Sequence, residues 1–470
     1  MKTGVIKRTS LPTSARFDAS YHLSEGETVK RTINNSPYKL ISVGDAAERI
    51  FYGARARRVY VSKKDHGVPF LSSSDILLSD LSNVKYVSKK HTPSIDDMKL
   101  QKGWVLISRS GTVGNCAYTN EKYAQRLASE DIIRLVPNNI LRGGFVYAYL
   151  ASKYGYSLLT QGTFGAVIQH IEPNNVAGIP IPVFPDDFQA KVDDLIQESS
   201  RLREEAADLL EKAKKTLKSE ANLPDLTVED YNYFGSSYVG REVSTFKRNI
   251  QDISRVSFNA FNYSERIRKN ILSRLANINH ISFYDALDDK KLQSPMGVAV
   301  NELEEGHGIM LINQKDIFDQ IVKGKWVAKK AKYYSDLLKQ DEILIAKIGT
   351  LGESESFCRC IYVGEELEGK LISSAFYRFK SSSLIPSGYL FAWLSSDYGF
   401  RLIRASHYGT KLCYPNPAIL YKYPVPIISQ TKMQEIDTMV KNAHHKYYLA
   451  NNNELSAISL VEKAIESWEK

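Results

Sequence analysis

The sequence predicts an α+β protein of two similar domains that are separated by a pair of long antiparallel coiled-coil helices, with pseudo-two-fold symmetry. Three observations predict this architecture. A chain of 470 residues is too long for one ordinary core, its second half repeats motifs of its first, and each half ends in a Pro-x-Pro strand followed by a long charged stretch. The two strands are IPIPVF at 179–184 and YPVPII at 423–428.

The repeat consists of pairs of motifs at a nearly constant offset. HGVPFLSSSDI at 66–76 matches HGIMLINQKDI at 307–317, an offset of 241. GGFVYAYLASKYGY at 143–156 matches SGYLFAWLSSDYGF at 387–400, an offset of 244, with 6 of 14 positions identical. Because small changes of offset are what insertions in surface loops produce, the pattern indicates a tandem duplication.

Each half has the pattern of a compact α+β domain. Short β-rich runs such as WVLISRS and ILIAKI alternate with turn signals, and one helical stretch follows them. Proline in the Pro-x-Pro segments removes backbone donors and fixes an extended chain, which favours the edge of a sheet or a rigid exit from the domain. The predicted divisions are a first domain at 1–185, a central spacer helix at 186–221, a linker and second domain at 222–428, and a C-terminal spacer helix at 429–470.

The two charged stretches have the periodicity of paired helices, because their apolar residues recur at steps of three and four. A lone helix of this length and composition is marginal in water, so we expect the two to pair in opposite directions. The NNN run at 451–453 consists of poor helix formers and predicts a break or kink. The residues predicted to form the seam are Val192, Leu195, Leu202, Leu209, Leu217, Ile436, Met439, Tyr447, Ile458 and Val461.

Composition and charge limit the classes of function. No run approaches the roughly 18 apolar residues of a membrane span, and MKTGVIKRTS at the start lacks the apolar core of an export signal, so a cytoplasmic location is expected. The four cysteines fit neither a disulfide framework nor a zinc site, and no metal is expected. The stretches 186–220 and 429–470 carry net charges of −3 and −1, so the rest of a chain of net charge +9 carries +13. Two basic domains related by a two-fold suit two half-sites on a DNA duplex.

These features together resemble the specificity subunit of type I restriction-modification systems. The resemblance is carried by the duplicated domain, by the RSGTVG and KIGTLG loops, by GAVIQHIEPNNVAGIPIPVF at 165–184 and by the long helix after each copy, and it covers essentially the whole chain. It implies that each repeat is a target-recognition domain that reads one half of a split DNA sequence. The helices would then form the spacer between the halves.

The resemblance also implies the partners. In that family the helical spacer docks two adenine-specific methyltransferase subunits, which bring S-adenosylmethionine, and motor and nuclease subunits join them in the full complex. This chain would bind double-stranded DNA, hold no cofactor of its own and catalyse nothing. Its longer N-terminal lead and its NNN run leave open whether it belongs to a type I complex or to a related split system.

No group of residues in the sequence assembles a catalytic site. NPAI at 416–419 is similar to the adenine-binding loop of amino methyltransferases but lacks its second proline and its aromatic residue, so a structural turn is expected. DEILIAK at 341–347 offers acids beside a strand, yet the matching GWVLISR has neither acid. A self-contained nucleic-acid enzyme is therefore disfavoured. The main alternative is a duplicated coiled-coil scaffold for protein interactions, without sequence-specific DNA binding.

DNA contacts need two kinds of side chain, since Lys and Arg bind phosphate whereas Arg, Asn, Gln and hydroxyl groups reach base edges. Two basic segments predict phosphate contacts, although an isolated charge run is more often a solvated face. They contain Arg55, Arg57, Arg58, Lys63 and Lys64 at 52–64, and Lys329, Lys330 and Lys332 at 323–332. Three loops in each half predict base reading, with Ser72, Ser73, Ser74, Arg109, Ser110, Thr112, Thr163 and Gln169 in the first and Asn313, Gln314, Lys315, Lys347, Thr350, Tyr408 and Lys411 in the second.

Overall fold

The computed structural model describes residues 25–55, 57–62, 64–161, 170–231, 246–298 and 300–469. Their contacts divide the chain into two compact units. Unit 1 comprises Met1–Glu204 together with Leu449–Lys470, and unit 2 comprises Glu205–Tyr448. Each unit mixes helices and sheets, so the α+β class is confirmed. The unit limits fall inside the two long helices, and the domain limits given from the sequence stay predictions.

Twelve α-helices are present among the described residues. Ten of them are short, and the other two are long helices of 35 and 37 residues. In chain order they are α1 Glu25–Asn34, α2 Glu121–Ala124, α3 Gly143–Ala151, α4 Lys153–Gln161, α5 Pro173–Ala177, α6 Asp186–Glu220, α7 Val228–Tyr231, α8 Ser273–Ala276, α9 Ser387–Ser395, α10 Asp397–Ala405, α11 Pro417–Leu420 and α12 Gln430–Glu466.

Unit 1 contains three small sheets among its described residues. Their strand orders are β2-β8-β5-β6, β4-β3-β7 and β1-β9, and all neighbours are antiparallel except β3 and β7. The strands are β1 Leu40–Ser42, β2 Ala47–Tyr52, β3 Gly67–Leu71, β4 Lys85–Ser88, β5 Val105–Ser108, β6 Cys116–Tyr118, β7 Leu127–Ala128, β8 Ile132–Pro137 and β9 Pro180–Pro182.

Unit 2 has a comparable set of strands. Its sheets have the orders β15-β14-β17, β11-β13-β12-β16, β10-β20 and β18-β19, and the parallel pair is again a single one, β12 with β16. The strands are β10 His280–Ser282, β11 Glu302–Leu303, β12 Ile309–Ile312, β13 Lys325–Val327, β14 Ile343–Ala346, β15 Cys360–Tyr362, β16 Leu371–Ile372, β17 Phe376–Phe379, β18 His407–Tyr408, β19 Tyr414–Pro415 and β20 Pro424–Pro426.

The central strand of each unit is buried on both faces. In β5, Val105 and Ile107 belong to the core that includes α3, whereas Leu106 belongs to a second core with Leu71 and Ile76. In β14, the alternate residues likewise fall into two different cores. Successive side chains of a strand point to opposite faces, so a continuous apolar run such as VLI or ILI is what a strand between two cores requires.

The Pro-x-Pro segments form two-stranded antiparallel ladders. Ile181 of β9 lies opposite Ile41, and Val425 of β20 lies opposite Ile281. A tyrosine hydroxyl from an earlier helix of the same unit donates to a proline carbonyl in each, Tyr149 of α3 to Pro180 at 2.6 Å and Tyr389 of α9 to Pro426 at 2.8 Å. The prediction that these segments lie at a sheet edge is therefore confirmed.

A second repeated contact ties each long helix to its own unit. The carboxylate of Asp193 in α6 accepts a hydrogen bond from the backbone N–H of Gly144 at 2.6 Å. The carboxylate of Asp437 in α12 accepts one from Gly388 at 2.7 Å. Both glycines lie in the first turn of a helix, where the N–H groups have no partner within the helix, and a carboxylate there also interacts favourably with the helix dipole. The offset of 244 found in the sequence thus links equivalent contacts.

In unit 1 the two long helices run in opposite directions. Near the start of α6, Phe184 stacks on Trp468, with ring centroids 5.7 Å apart. Nineteen positions further along, Arg203 contacts Glu454 and donates to the Asn451 side chain at 2.7 Å. Since the partner numbers fall as the α6 numbers rise, this pairing is antiparallel.

The other part of the helix pair lies in unit 2 and is also antiparallel. Lys446 forms an ion pair with Glu205 at 2.7 Å, and Lys432 lies 3.8 Å from Glu220. The α12 helix continues without interruption through 451–453, so the predicted break at NNN is wrong. The physical reason is tertiary: Asn451 is buried and its amide oxygen accepts a hydrogen bond from Arg203, which outweighs a low helix propensity.

The predicted seam residues differ in burial. Val192, Leu202, Leu217, Ile436, Met439 and Val461 are buried, whereas Leu195, Leu209, Tyr447 and Ile458 are partly exposed. A set of small side chains with the same periodicity is fully buried as well. They are Ala206, Ala213, Ala443, Ala450 and Ala457, and their spacing of seven within each helix is that of a coiled-coil seam.

The ring of His444, whose Nε2 atom is buried, predicts an acid-sensitive unit 2. It lies 5.0 Å from the ring of Tyr362 and 5.5 Å from that of Phe391, and burial lowers its pKa to about 4 against the opposing charge of Glu365. The unfolded chain takes up this proton near pH 6.5, whereas the folded one does so only near pH 4. Stability is therefore lost as the pH falls from about 6.5 to 4, by at most about 3 kcal/mol.

Urea unfolding at pH 7 and pH 4.5, followed by fluorescence, measures this loss. We expect His444→Phe to lose less stability than the wild type over this interval, because an apolar ring fits the aromatic surroundings without a proton to gain. His307→Phe is the control at an exposed position of the same unit, and it should keep the wild-type difference. Equal losses in all three proteins would show that His444 does not cause the acid sensitivity.

Candidate DNA interface

The loops predicted from the sequence lie together in unit 1. The hydroxyl of Ser108, at the end of β5, donates to the carbonyl of Ser73 at 2.8 Å. Ser110 forms an antiparallel bridge with His170. Residues 72–75, 109–114 and the segment that resumes at His170 therefore meet at one edge of the unit. We call this group the unit 1 loop cluster.

The serine loop of the unit 1 loop cluster is internally bonded. Ser72 donates through its backbone N–H and its hydroxyl to Asp75, at 2.7 and 2.6 Å, and its hydroxyl lies 3.3 Å from that of Ser74. Thr112 shares a hydrogen bond of 3.0 Å with Ser108. Among the described hydroxyl-bearing residues predicted to read bases in unit 1, Ser74 is exposed, and Ser72, Ser73, Ser110 and Thr112 are partly exposed. Thr163 and Gln169 lie outside the described residues.

Arg109 has partners inside its own unit. Its guanidinium donates to the carboxylate of Glu172 and lies 4.8 Å from the ring centre of Tyr52, with 18% of its side chain exposed. Glu172 caps the start of α5, and no local pattern in the sequence indicates a contact between residues 63 positions apart. The arginine is at the loop cluster, as predicted, but one of its hydrogen-bonding edges is already used.

The basic segment at 52–64 contains both exposed basic side chains and one that is bonded to carboxylates of its own unit. Arg58 donates to Glu130 at 2.6 Å and lies 3.7 Å from Asp131, which makes it part of the internal structure. Arg55, with 90% of its side chain exposed, approaches Glu130 only to 4.0 Å. Arg57 and Lys64 are exposed as well. Lys63 lies outside the described residues. The exposed members are available for phosphate contacts.

The three predicted loops of unit 2 also meet. The Gln314 side chain donates to the carbonyl of Ile348 at 2.6 Å, and Gly349 pairs with Cys413 through a backbone bond of 2.8 Å. Residues 313–316, 347–352 and 408–413 thus form the unit 2 loop cluster. It uses different polar residues from its counterpart while the strands beside it match, which is the pattern expected of one scaffold that reads two different sequences.

The predicted readers in the unit 2 loop cluster differ in what they contact. Lys347 donates to the hydroxyl of Ser294 at 2.8 Å, and burial lowers its pKa. Asn313 contacts Asp316 at 3.4 Å, and Lys315, with 87% of its side chain exposed, lies 3.8 Å from the same carboxylate. Tyr408 is exposed and stacks on Tyr414. Thr350 and Lys411 are exposed.

The second basic segment is at the surface of unit 2. Lys329, Lys330 and Lys332 are all exposed. The ammonium groups of Lys330 and Lys332 lie 5.9 and 5.4 Å from the ring centre of Tyr333, whose side chain is buried. The two ammonium groups therefore lie near a buried aromatic ring while the lysines stay exposed. This arrangement is compatible with either phosphate contacts or a solvated face.

The features considered for chemistry have structural partners. Asn416, in the NPAI motif, caps α11 by accepting a hydrogen bond from Ala418 at 3.1 Å. Glu342, in DEILIAK, is buried and bonded to Arg378 at 2.9 Å. Within the described ranges, no three His, Cys, Asp or Glu side chains are placed to hold a metal ion. Among those same residues, no helix combines the length and apolar character needed to cross a membrane.

The sequence and structure were compared with known proteins. Residues 41–199, from β1 into α6, match the family model described as type I restriction modification DNA specificity domain. No curated protein matches the chain. Among solved structures, the S subunit of a type I restriction-modification system from M. genitalium is 14% identical, with a TM-score of 0.36, and the match covers 92% of this chain and 96% of that one.

The HsdS subunit from Thermoanaerobacter tengcongensis is a further solved structure with some likeness. It is 12% identical, with a TM-score of 0.28, over 92% of this chain and 97% of that one. A chain from a structural study of complex assembly and conformational transition of the type I R-M system is 11% identical, with a TM-score of 0.27 over the same shares.

Proposed function

Residues 41–199 carry a type I restriction modification DNA specificity domain, and from that premise we propose that this chain reads a DNA target in two halves. The domain confirms the resemblance and the role in DNA sequence specificity that were predicted from the sequence. Each unit reads one half through its own loop cluster. The paired helices α6 and α12 set the distance between the halves.

The observation that carries this proposal is the convergence of three loops in each unit. In both units a loop after a parallel-paired strand, a glycine-containing loop after the central strand and a third loop near the Pro-x-Pro exit contact one another. Loops on a rigid scaffold are where binding specificity resides in many proteins. Two clusters with unlike side chains favour an asymmetric target with two different halves.

The helix contacts support the proposal that α6 and α12 form a spacer. In each unit α6 and α12 run antiparallel, and each helix is a continuous element that begins in one unit's share of the chain and ends in the other's. A helix rises about 1.5 Å per residue, so 35 residues span about 50 Å. We propose that this rod separates two target-recognition domains related by a pseudo-two-fold axis, and that its length limits the gap between the half-sites.

The chemistry belongs to the partners in this proposal. Two methyltransferase subunits dock on the helical spacer and supply S-adenosylmethionine and the methyl transfer, and restriction and motor subunits complete the assembly. The chain itself is a non-catalytic subunit that holds no cofactor and works in the cytoplasm. The role of Asn416 as a helix cap and of Glu342 as an internal ion-pair partner supports this, because both are occupied structurally.

Selection of bound sequences tests the proposal. The full chain, with and without its methyltransferase partner, is incubated with random duplexes, and the bound fraction is sequenced after several rounds. We expect two short blocks separated by a fixed gap. Retention of duplexes without any enriched sequence, or no retention at all with a folded chain, would instead support a scaffold for protein interactions.

Arg109 gives a sharper test in unit 1. If its guanidinium reads a base, Arg109→Ala should weaken binding to the selected duplex by about 5- to 100-fold and leave binding to random DNA nearly unchanged. If it contacts phosphate, both affinities should fall about equally. Because removal of Arg109 also frees the carboxylate of Glu172, the variant Arg109→Ala with Glu172→Gln separates a lost contact from a new negative charge. Unchanged binding by both variants would exclude Arg109 from the interface.

A further inference from the structure

The turn between β18 and β19 presents apolar side chains at the unit 2 loop cluster. Leu412 has 56% of its surface exposed and Tyr408 has 46%. Single exposed apolar residues are common on soluble proteins and need no explanation by themselves. These two differ because they lie in a short turn that belongs to the predicted DNA-reading surface. We call residues 408–412 the apolar tip.

The backbone of the apolar tip is held from both sides. Cys413, which is buried, donates to Gly349 at 2.8 Å, and the side-chain amides of Asn259 and Asn262 donate to the carbonyl of His407 at 3.1 and 2.9 Å. Gly409 has φ +90°, and a Cβ there would lie 2.3 Å from the carbonyl oxygen of Leu412. The tip is therefore a fixed feature, and binding through it would cost little ordering entropy.

The side chains of the tip are also oriented. The Tyr408 ring stacks on that of Tyr414, with centroids 5.6 Å apart and an angle of 25° between the rings. Lys411 beside Leu412 is exposed, and so is Thr350 in the adjoining loop. The nearby carboxylate of Glu353 is already bound by Arg401 at 2.8 and 2.6 Å. The tip thus combines a fixed apolar surface with positive charge.

This combination fits the major groove of DNA. Each base pair shows a distinct set of groups there, and thymine alone among the four bases adds a methyl group, which side chains read by apolar contact. A lysine next to the apolar side chain can bind the adjacent phosphate. Contact with a protein partner would bury the apolar surface equally well, but it would not explain why the tip lies within a basic loop cluster.

The repeat offers a second observation at the level of sequence. At the offset of 244, Tyr408 corresponds to Phe164 and Leu412 to Ile168, whereas the intervening Lys411 corresponds to Val167. Aromatic and aliphatic character is thus kept at both positions in the two halves. The structure of 162–169 lies outside the described residues, so the inference concerns unit 2.

We propose that Leu412 is a specificity-determining residue that contacts the methyl group of a thymine in the half-site read by unit 2. This inference rests on the proposed function, because it assumes that unit 2 reads DNA. It goes further in naming the chemical group that is read and the residue that reads it.

The test replaces thymine by deoxyuridine, which removes the methyl group and keeps the pairing groups of the base. Duplexes carrying the selected sequence are made with thymine or deoxyuridine at each position of the half-site, and their affinities for the full chain are measured by fluorescence anisotropy. We expect one replacement to weaken wild-type binding by about 3- to 10-fold. Leu412→Ala should bind the thymine duplex more weakly by a similar factor and should show no further loss with deoxyuridine.

Leu384→Ala is the matched control, since Leu384 is in the same unit and is also 56% exposed but lies outside the loop cluster. It should keep the wild-type preference for thymine. The inference is overturned if deoxyuridine has no effect at any position, if Leu412→Ala keeps the wild-type sensitivity to it, or if Leu412→Ala changes only the affinity for the methyltransferase partner. If no sequence is selected in the first place, the proposed function fails and not merely this inference.

Discussion

We expect Glu454→Ala to destabilise unit 1 by about 3–5 kcal/mol, the largest effect of any single substitution considered for this chain. Glu454 is 6% exposed, and its carboxylate accepts from Arg203 and from the Tyr147 hydroxyl. Burial and the charge of Glu454 raise the pKa of Tyr147 well above its usual value, so the phenol stays protonated and donates. Removal of the carboxylate leaves the Arg203 cation buried without its ion-pair partner, although its hydrogen bond to the neutral Asn451 remains.

The physical reason for so large a loss is the unpaired charge rather than the strength of the pair. Replacement of both charges by apolar residues of similar volume is often nearly neutral, so Arg203→Met with Glu454→Leu should recover most of the stability lost in Glu454→Ala. Urea unfolding of the three proteins at pH 7 measures both values. Arg201→Met breaks the exposed pair with Glu198 on the same helix and should change the free energy by less than about 1 kcal/mol. A loss below about 1 kcal/mol in Glu454→Ala would contradict this description of the helix pair.

The second large effect is expected at two equivalent glycines. A Cβ on Gly155 would lie 2.2 Å from the carbonyl oxygen of Tyr149, and one on Gly399 would lie 2.2 Å from that of Trp393. Both obstacles are backbone atoms, which no rotamer change can move. We expect Gly155→Ala and Gly399→Ala each to cost about 3 kcal/mol, at the upper end of the usual range for overpacking.

Thermal unfolding of both variants, followed by circular dichroism, measures this effect. Gly297→Ala is the control, because a Cβ there meets nothing within 4 Å, and it should leave the transition within about 2 °C of the wild type. Closely similar losses at Gly155 and Gly399 would agree with the repeated architecture. A large loss at one of them and none at the other would contradict the equivalence of the two units at this turn.

Much of the fold could be predicted because its signals are local or repeated. The apolar run of each central strand, the proline pairs of the edge strands and the steps of three and four in the long helices depend on neighbouring residues only. The repeat then showed which of these features belong together. The Asp193 and Asp437 contacts follow the same offset, although the sequence alone did not indicate that these carboxylates bond a helix start.

The errors concern contacts between residues far apart in sequence. The NNN run predicts a break by its intrinsic propensity, but Asn451 is bonded to a residue 248 positions away, and no local pattern reveals such a partner. At the seam, the steps of three and four include most of the fully buried alanines, which let two helices approach closely. They do not show which of the larger apolar residues are partly exposed.

The candidate DNA interface was also predicted only in part. The sequence identified the loops, and their mutual contacts agree with it, because a repeated strand order fixes where loops emerge. It did not reveal which side chains are already bonded within the protein. Arg58 and Arg109 have carboxylate partners, whereas Arg57, Lys64 and Lys411 are exposed. The assignment of single residues to bases or phosphates stays a prediction.

We propose above all that the length of the antiparallel helices determines the distance between two DNA half-sites. Insertion of one seam-continuing heptad into each of α6 and α12, after Glu204 and after Tyr448, adds about 10 Å of helix and keeps the seam in register. Sequences selected by this variant should keep both blocks and should widen the gap by about 3 base pairs, since each base pair rises about 3.4 Å. An unchanged gap, with both blocks still selected, would contradict the claim.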